Sequence, residues 1–396
     1  MKIAFISKLC FIDSIGGVEN HLKYLTLSHM KLGHDVVCFQ PTESVSETTM
    51  VIFEGIKVIQ VPYKNPKIIS LLQNYSGNKV FKYLIGFLNK ASANLGANEL
   101  IKQVDSFSPD YIHQHDFISS LFATKKLSKK YPVFFTNHTG EYLLLRRYFL
   151  GRLFLRFALN HYTAIVGPSI ELTPVEYSKN TITIHNGADF SVFKNLEESV
   201  IKKTRKDMGF SADDIIVLCP RRWAPTKGVI YLAKAIQQFD FDKRIKFLFA
   251  GSDYTDYIQY RNEVEAILLP SVINKKVILL GNLNSKELNV YYNLSSIVVI
   301  PSLMEAVSLS AVEAMATNNV VISTNVGGMP ELIKNNYNGI LIPPESPKAL
   351  YQSIQKLTES DCFYEEIRKN SSVNISEYSW DDICSRTYNF FKKYFT

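Results

Sequence analysis

The sequence predicts an α/β protein made of two doubly wound domains. Short apolar runs alternate with amphipathic segments along most of the 396 residues. The alternation stops once, after Phe193, where the charged stretch KNLEESVIKKTRKDMGFSADD contains no apolar run. The chain is also longer than the roughly 150 residues typical of one domain. We therefore predict an N-terminal domain over residues 1–193 and a C-terminal domain over 194–375, facing each other across a central cleft.

The first domain contains seven candidate strands, each ending in polar or glycine-bearing residues. They are KIAFIS, DVVCFQ, IKVIQV, DYIHQH, VFFTNH, AIVGPS and ITIHNG. Between the first two, VENHLKYLTLSHMKLG has helical periodicity and stops at Gly33, a suitable helix C-cap. Strands separated by helices indicate a parallel sheet.

A second strand series follows the charged stretch. Its members are IIVLCP, KFLFAG, VILLGN, IVVIPS, VVIST and GILIPP, with helices such as VIYLAKAIQQF and SPKALYQSIQKL between them. The chain ends in the amphipathic helix SWDDICSRTYNFFKKYF, which lies too far along the chain to be needed by that sheet. We expect residues 376–396 to pack back on the N-terminal domain.

The composition is that of a globular protein in a reducing compartment. Hydrophobic residues make up 46% and charged residues 20%, which is enough apolar material for two cores. The five cysteines are scattered and form no CxxC pair, so neither disulfides nor zinc are indicated. Lys8 interrupts the first apolar run, which favours a buried strand over a signal peptide. No apolar run approaches about 18 residues, so we expect a cytoplasmic protein or one resting on the inner face of a membrane.

The net charge of +7 is concentrated in residues 121–161, where eight Lys or Arg stand against Glu141. Within this region, residues 141–159 interleave basic and large apolar side chains at near-helical spacing. Two interpretations stay open: a helix lying on an anionic membrane surface or gripping an anionic acceptor, or an ordinary docked helix with a basic solvent face. No nucleic-acid-binding motif accompanies the charge, so we expect no nucleic acid partner.

Glu305 and Glu313 mark the predicted site, with seven residues between them, after the run SSIVVIPS and before VVIST. In an open parallel sheet, ligands bind beyond the carboxyl ends of the strands, at helix N-termini that favour anions. A helix beginning near Leu309 or Ser310 would hold phosphate, while the carboxylates accept hydrogen bonds from hydroxyls. This combination predicts a hydroxyl-rich, phosphorylated ligand such as a nucleotide-sugar. The simpler alternative is a surface acid followed by a first-turn helix acid.

Several segments, in this order, are similar to family 4 of the retaining glycosyltransferases. They are CPRRWAPTKG, GNLNSKEL, the paired-glutamate segment and STNVGGMPELI, preceded in the first half by GGVENH, TNHTGEY and IHNGAD. The resemblance implies the GT-B architecture of two Rossmann-like domains, with residues 1–193 on the acceptor side and residues 194–375 binding the nucleotide-sugar. It also implies a hexosyl- or N-acetylhexosaminyltransferase that uses a nucleotide-sugar donor, with UDP-sugars slightly favoured over GDP-sugars. The acceptor would be a hydroxyl of a glycan or lipid-linked glycan, in bacterial cell-surface polysaccharide or glycoconjugate synthesis.

The resemblance also assigns roles in the C-terminal domain. Arg222 and Lys227 would stabilise the leaving diphosphate in place of a metal ion, so no metal and no cofactor is expected. The alternative for this pair is two solvated charges near a turn. Glu305 would hold hydroxyls of the donor sugar and Glu313 those of the ribose. The implied reaction is a front-face displacement that needs no dedicated protein base.

In the N-terminal half, Gly16 and Gly17 would let the backbone approach a phosphate or sugar, although any tight turn could use them. His138 would touch the transferred sugar, and Asn186 would border the donor cleft. We interpret His113 and His115 as structural residues, because histidines this close on a strand are not by themselves a metal site.

The chain departs from the family pattern at three positions. Arg221 occupies a position where the family more often has glycine, and the resemblance assigns it no role. Ala306 and Ser308 also replace glycines, which narrows the room beside the sugar and leaves the donor sugar open.

Two other functions remain compatible with the sequence. A GT-B nucleotide-sugar 2-epimerase would bind the same donor but use no acceptor. A non-catalytic, transferase-like partner subunit would be free to lose Arg222, Lys227 or the glutamate pair, all of which are present.

Overall fold

The computed structural model describes residues 1–13, 16–66, 69, 79–138, 140–239, 244–251 and 257–395, and it divides into two compact units. Unit 1 comprises Met1–His185 and Trp380–Thr396, and unit 2 comprises Asn186–Ser379. The chain thus enters unit 2 at residue 186, before the predicted 194, and leaves it after residue 379, beyond the predicted 375. The reason is burial, because Ala188 and Phe193 belong to the hydrophobic core of unit 2.

Unit 1 is built on an eight-stranded sheet with the strand order β3-β4-β2-β1-β5-β6-β7-β8. The strands are β1 (Lys2–Ile6), β2 (Asp35–Thr42), β3 (Thr49–Phe53), β4 (Ile56–Pro62), β5 (Tyr111–Gln114), β6 (Val133–Thr136), β7 (Ala164–Gly167) and β8 (Thr181–Thr183). The helices are α1 (Gly17–Lys31), α2 (Lys79–Ser92), α3 (Ala97–Phe107), α4 (Leu121–Leu127), α5 (Gly140–Leu145), α6 (Phe149–Leu159) and the terminal α15 (Trp380–Lys392). All seven segments proposed as strands in this half form strands.

The edge strand β3 was not predicted from the sequence. It pairs antiparallel with β4 through a tight turn in which Glu54 and Gly55 both have positive φ, at 48° and 83°. Its sequence TMVIF contains a short apolar run like those of the buried strands, although the middle of β3 is solvent-exposed. The other pairings in this sheet are parallel.

The terminal helix α15 supplies part of the core of unit 1. The Phe391 side chain is fully buried, and its ring stacks on that of Phe134 with 4.0 Å between centroids. At the start of the helix, the Trp380 ring stacks on Tyr24 of α1. The side chains that give α15 its amphipathic pattern therefore face the sheet and helix of unit 1.

The basic segment 141–159 is divided between two helices instead of forming the single helix that its spacing suggests. Helix α5 ends at Leu145 and α6 begins at Phe149. Gly151 lies against the backbone of Leu145, where any Cβ would overlap the Leu145 carbonyl. A continuous helix would abolish this close packing.

Unit 2 contains a six-stranded parallel sheet with the order β11-β10-β9-β12-β13-β14. The strands are β9 (Ile215–Pro220), β10 (Ile245–Ala250), β11 (Val277–Gly281), β12 (Ile297–Ile300), β13 (Val320–Thr324) and β14 (Ile340–Ile342). The helices are α7 (Glu198–Asp207), α8 (Val229–Ile236), α9 (Ile258–Ile273), α10 (Ser285–Leu294), α11 (Leu309–Ala316), α12 (Met329–Leu332), α13 (Pro347–Glu359) and α14 (Asp361–Ser371). Each of the six predicted strands is present.

Both sheets have a point at which the strand order reverses. In unit 1 the chain moves from β1 outwards to β2 and later returns to β5 on the other side of β1. In unit 2 it moves from β9 to β10 and β11, and returns to β12 on the other side of β9. Loops that follow the two central strands diverge there and leave room for a ligand. Among the described residues, no helix is long and apolar enough to span a bilayer.

Candidate functional site

The reversal point of unit 2 is shaped by the turn that follows β9. Residues Pro225–Lys227 form a short 3-10 turn, and Gly228 ends it in the left-handed conformation, at φ +64°. A Cβ at position 228 would overlap the carbonyl oxygen of Pro301, directly after β12. The turn therefore packs against the end of the neighbouring strand, and Leu303 N donates to Thr226 O at 2.8 Å. This packing fixes Lys227 between the ends of β9 and β12.

A second close approach positions Glu305. Gly327 has a φ of +53°, and a Cβ there would overlap the Glu305 carbonyl oxygen. The segment after β13 thus lies directly on the loop that carries Glu305. Helix α11 begins at Leu309, which agrees with the predicted start near Leu309 or Ser310, and Ser308 is its N-cap residue.

The Glu305 carboxylate forms ion pairs with two cations. Its Oε1 accepts a hydrogen bond from Lys227 Nζ at 2.6 Å and another from Arg221 Nη2. The side chains of Arg221 and Glu305 are only 8% and 10% exposed. Removing one partner of such a buried ion pair leaves the other charge uncompensated. Arg221, Lys227 and Glu305 therefore depend on one another.

Arg221, to which the family resemblance assigns no role, contacts both ends of this region. Its Nη1 donates to Ser308 Oγ at 3.1 Å and to Ser310 Oγ at 3.4 Å. One guanidinium thus joins Glu305 to the first turn of α11. Two positions where the family more often has glycine, 221 and 308, are in direct contact in this chain. In the sequence, both residues stand out because they depart from the family pattern. Nothing in the sequence indicates that they are in contact.

Glu313 lies one turn inside α11 and is held by a buried tyrosine. Tyr292 Oη donates to Glu313 Oε2 at 2.9 Å and lies 3.2 Å from the carbonyl of Ser310. Burial raises the pKa of Glu313 to about 7, against the hydrogen bond from Tyr292 and the charge of Arg221. No motif marks Tyr292 in the sequence, where it resembles any core aromatic residue of a helix such as α10.

The charges of both guanidinium groups, Arg221 and Arg222, act on Lys227. Burial, followed by the charges of Arg221 and Arg222, lowers the pKa of Lys227. The Arg222 side chain is exposed, in contrast to that of Arg221. Adding an anionic ligand beside Lys227 would offset both guanidinium charges and favour its protonated form.

In unit 1 the predicted residues lie beside a group of histidines. Gly16 is the N-cap residue of α1, and Gly17 is its first residue. His138 follows β6, and its Nε2 lies 3.2 Å from Nδ1 of His115, with the two rings stacked. The His21 ring meets His138 edge-on at 4.5 Å between centroids. Asn186 is buried at the start of unit 2.

Three of these imidazoles could share a metal ion. One nitrogen from each of His21, His115 and His138 lies within 4.8 Å of the others. Ligating histidines normally donate their other N–H to an acceptor, but His115 Nε2 has no partner among the described residues. His113 instead pairs with Thr136 Oγ1 at 2.8 Å. The prediction that no metal is needed stays a prediction.

An open parallel sheet that gathers cations, carboxylates and a helix N-terminus at its reversal point is typical of nucleotide-binding α/β proteins. Two family descriptions match the chain: Glycosyltransferase Family 4 over residues 15–173 and Glycosyl transferases group 1 over residues 200–373. The chain belongs to this glycosyltransferase family, and the predicted GT-B class is confirmed.

Individual relatives agree with this assignment. An uncharacterized glycosyltransferase of Methanocaldococcus jannaschii is 31% identical over 57% of this chain and 56% of its own. The chain thus spans about half the length of this curated relative. The structure of sucrose-phosphate synthase from Thermosynechococcus elongatus aligns with a TM-score of 0.76 at 19% identity, over 100% of this chain and 99% of that one. The Anabaena protein HepE, in complex with UDP and glucose, aligns at 0.74 with 18% identity over 99% of each chain.

Proposed function

We propose that the protein transfers a sugar from a nucleotide-diphosphate sugar to a hydroxyl of an acceptor glycan, with retention of anomeric configuration. The observation that carries the proposal is the buried cluster of Arg221, Lys227 and Glu305 at the start of α11. It combines fixed cations for a diphosphate with a carboxylate for sugar hydroxyls. The helix N-terminus adds partial positive charge for the same phosphate groups.

Each group has a distinct task in the proposed reaction. The bond between the sugar C1 and the leaving phosphate oxygen breaks, and a new bond from C1 to the acceptor oxygen forms on the same face. The proton of the acceptor hydroxyl passes to the leaving phosphate oxygen, so no separate base is required. Lys227 and Arg222 stabilise the charge that develops on the diphosphate. Glu305 orients the sugar, and Glu313 accepts hydrogen bonds from the ribose.

Among donors we favour a UDP-hexose or UDP-N-acetylhexosamine. The support is the fold shared with HepE, whose structure holds UDP and glucose. The proposed acceptor is a glycan or lipid-linked glycan of a bacterial surface polysaccharide or glycoconjugate. We propose that the reaction needs no metal, since Arg222 and Lys227 provide the positive charge.

A panel of UDP- and GDP-sugars tests the proposal through thermal stabilisation and nucleotide release. A bound donor raises the unfolding temperature, and the stabilisation grows with the logarithm of its concentration relative to its Kd. We expect one UDP-sugar to stabilise the protein and to release UDP faster when an acceptor is added, with or without EDTA. Proton NMR of the product should show the donor's anomeric configuration.

Two results would replace this function by another. Isomer exchange at the donor sugar without any acceptor would indicate a 2-epimerase. Stabilisation by a donor with no release of nucleotide, under any acceptor, would indicate a non-catalytic partner subunit.

We also propose that the protein works on the cytoplasmic side of an anionic membrane, which it touches through helix α6. Gly151, Leu155 and Ala158 are buried against unit 1. The outward face presents large apolar and basic side chains, namely Phe149, Leu150, Leu153, Phe157, Arg152 and Arg156. Phe149 and Leu150 are 71% and 75% exposed. Exposed apolar residues flanked by arginines are typical of helices that lie in an anionic lipid interface.

Sedimentation with vesicles tests the membrane contact. The wild type should sediment with phosphatidylglycerol vesicles at low salt and much less with phosphatidylcholine vesicles. The double variant Arg152→Glu/Arg156→Glu should lose this binding, whereas Lys334→Glu, an exposed charge in unit 2, should keep it. Absence of wild-type binding at every ionic strength would remove the proposal.

A further inference from the structure

Two basic side chains share one oxygen of Glu305, but they are held there differently. The Arg221 side chain is 8% exposed, and its Nη2 donates to Glu305 Oε1. Its Nη1 donates to the hydroxyls of Ser308 and Ser310, at 3.1 and 3.4 Å. Lys227 is 21% exposed, and its Nζ makes a single side-chain hydrogen bond to the described residues, to Glu305 Oε1 at 2.6 Å. Arg221 is thus fixed by several contacts, whereas Lys227 is released by breaking one.

The position of Arg221 requires a carboxylate beside it. Its guanidinium lies at the first turn of α11, where the helix N–H groups carry partial positive charge. A buried cation in such a place is unfavourable unless an anion compensates it. Glu305, itself 10% exposed, is that anion and needs a cation for the same reason. We therefore expect the pair of Arg221 and Glu305 to persist when a ligand binds.

A diphosphate that binds at this place competes with Glu305 for Lys227. If Lys227 were the only partner of the carboxylate, moving its Nζ to a phosphate oxygen would leave a buried charge uncompensated. With Arg221 present, the carboxylate keeps a charged partner when Lys227 leaves. Arg221 thus removes a cost that would otherwise oppose binding of the diphosphate.

We propose that Arg221 is a positioning residue, the permanent counter-ion of Glu305, and that it thereby releases Lys227 to bind the diphosphate of the donor. The inference rests on the proposed function, in which Lys227 contacts the diphosphate and Glu305 the sugar. Arg221 acts only through these two residues. A glycine at position 221 or 308 could not form the contact between the guanidinium and the Ser308 hydroxyl, so the two departures from the family pattern serve one purpose.

Calorimetric titration of the full-length protein with UDP tests the proposal. Arg221→Met keeps a long side chain but removes the counter-ion, so Lys227 becomes the one remaining basic partner of Glu305 Oε1 among the described residues. We expect UDP to bind this variant at least about tenfold more weakly than the wild type. Adding Glu305→Gln to Arg221→Met should restore the affinity to within about threefold of the wild type, because no buried carboxylate then retains Lys227.

This rescue separates positioning from support of the fold. If Arg221 only stabilised unit 2, a second substitution in the same cluster could not restore UDP binding, and a double variant as weak as Arg221→Met would overturn the proposal. Arg205→Met is the matched control, because Arg205 anchors unit 2 through the backbone carbonyls of Leu294 and Ser211, at 3.0 and 2.9 Å. It should lower the unfolding temperature and leave the UDP affinity unchanged.

Glu305→Gln alone gives a second test that does not depend on the folding of Arg221→Met. It should bind UDP at least as tightly as the wild type, since Lys227 has lost its competing partner, and weaker binding would overturn the proposal. Unchanged UDP affinity in Arg221→Met would overturn this inference and leave the proposed function intact. UDP binding with this pattern of affinities, but without sugar transfer by the wild type, would overturn the proposed function alone.

Discussion

The two units use the same position in the sheet for different chemistry. At the reversal point of unit 2, Arg221 and Lys227 pair with Glu305, and a helix N-terminus lies beside them. At the reversal point of unit 1, the stacked imidazoles of His115 and His138 lie near Asp116, Lys90 and Glu141. Fixed charges suit a diphosphate, whereas unpaired hydrogen-bonding atoms suit hydroxyls. On the proposed function, the shared fold sets the position of each site and the side chains set its ligand.

The largest effect should come from the core of unit 1. Phe391→Ala removes a fully buried ring that stacks on Phe134. We expect a loss of about 3–5 kcal/mol in the free energy of unfolding of unit 1. Thermal unfolding and UDP titration at low temperature measure the two units separately. If UDP affinity fell as much as stability, the division of tasks between the units would be wrong.

The next largest effect concerns turnover. Lys227→Ala and Glu305→Gln should each lower kcat by about 10²–10³, because each removes a preorganised charge from the donor site. Circular dichroism should show an intact fold. The matched exposed substitutions Lys348→Ala and Glu366→Gln should leave kcat unchanged. Near-normal kcat in either site variant would overturn the assignment of these residues.

A double-mutant cycle tests the contact between Arg221 and Ser308. Arg221→Ala should reduce both the stability of unit 2 and the turnover, because Glu305 loses one of its two cations. Ser308→Ala alone should have a smaller effect, and no effect in the Arg221→Ala background. We expect a coupling free energy of about 0.5–3 kcal/mol from denaturant unfolding of the four proteins. Additive effects would show that Arg221 does not act through Ser308.

The last effect is a dependence of stability on pH. The pKa of Glu313 in the folded protein is raised to about 7 from an ordinary value of 4.5. Between these values the folded state holds a proton that the unfolded state has released. The stability of unit 2 should therefore fall as pH rises from 4.5 to 7, by up to about 1.4 kcal/mol per pH unit. Glu313→Gln should remove the part of this slope that comes from the one proton on Glu313. An unchanged slope would contradict the buried state of the carboxyl.

Much of the fold was predictable because burial leaves periodic patterns in the sequence. The buried strands of both sheets and the start of α11 at Leu309 follow from such patterns. The edge strand β3 contains a short apolar run although its middle is exposed, so such a run does not by itself show whether a strand is buried. The break between α5 and α6 depends on the packing of Gly151 against Leu145. Local patterns do not contain this information.

The candidate site was predictable only as far as the family motifs reach. Glu305, Glu313, Arg222 and Lys227 are found by their spacing and resemblance. The motifs do not indicate that Glu305 pairs with Arg221, which lies 84 residues away in the sequence. The pairing of His115 with His138 likewise depends on the sheet that brings the two residues together. Such long-range contacts have no signature in a single sequence.

Calorimetric titration with UDP tests the central claim, that unit 2 holds the diphosphate and unit 1 does not. Three proteins suffice: the wild type, Lys227→Ala and Asp116→Asn. The account predicts that Lys227→Ala binds UDP at least about tenfold more weakly, since about 1.4 kcal/mol of charge-assisted binding is lost, while Asp116→Asn binds it like the wild type. Equal affinity in Lys227→Ala, or a comparable loss in Asp116→Asn, would contradict it.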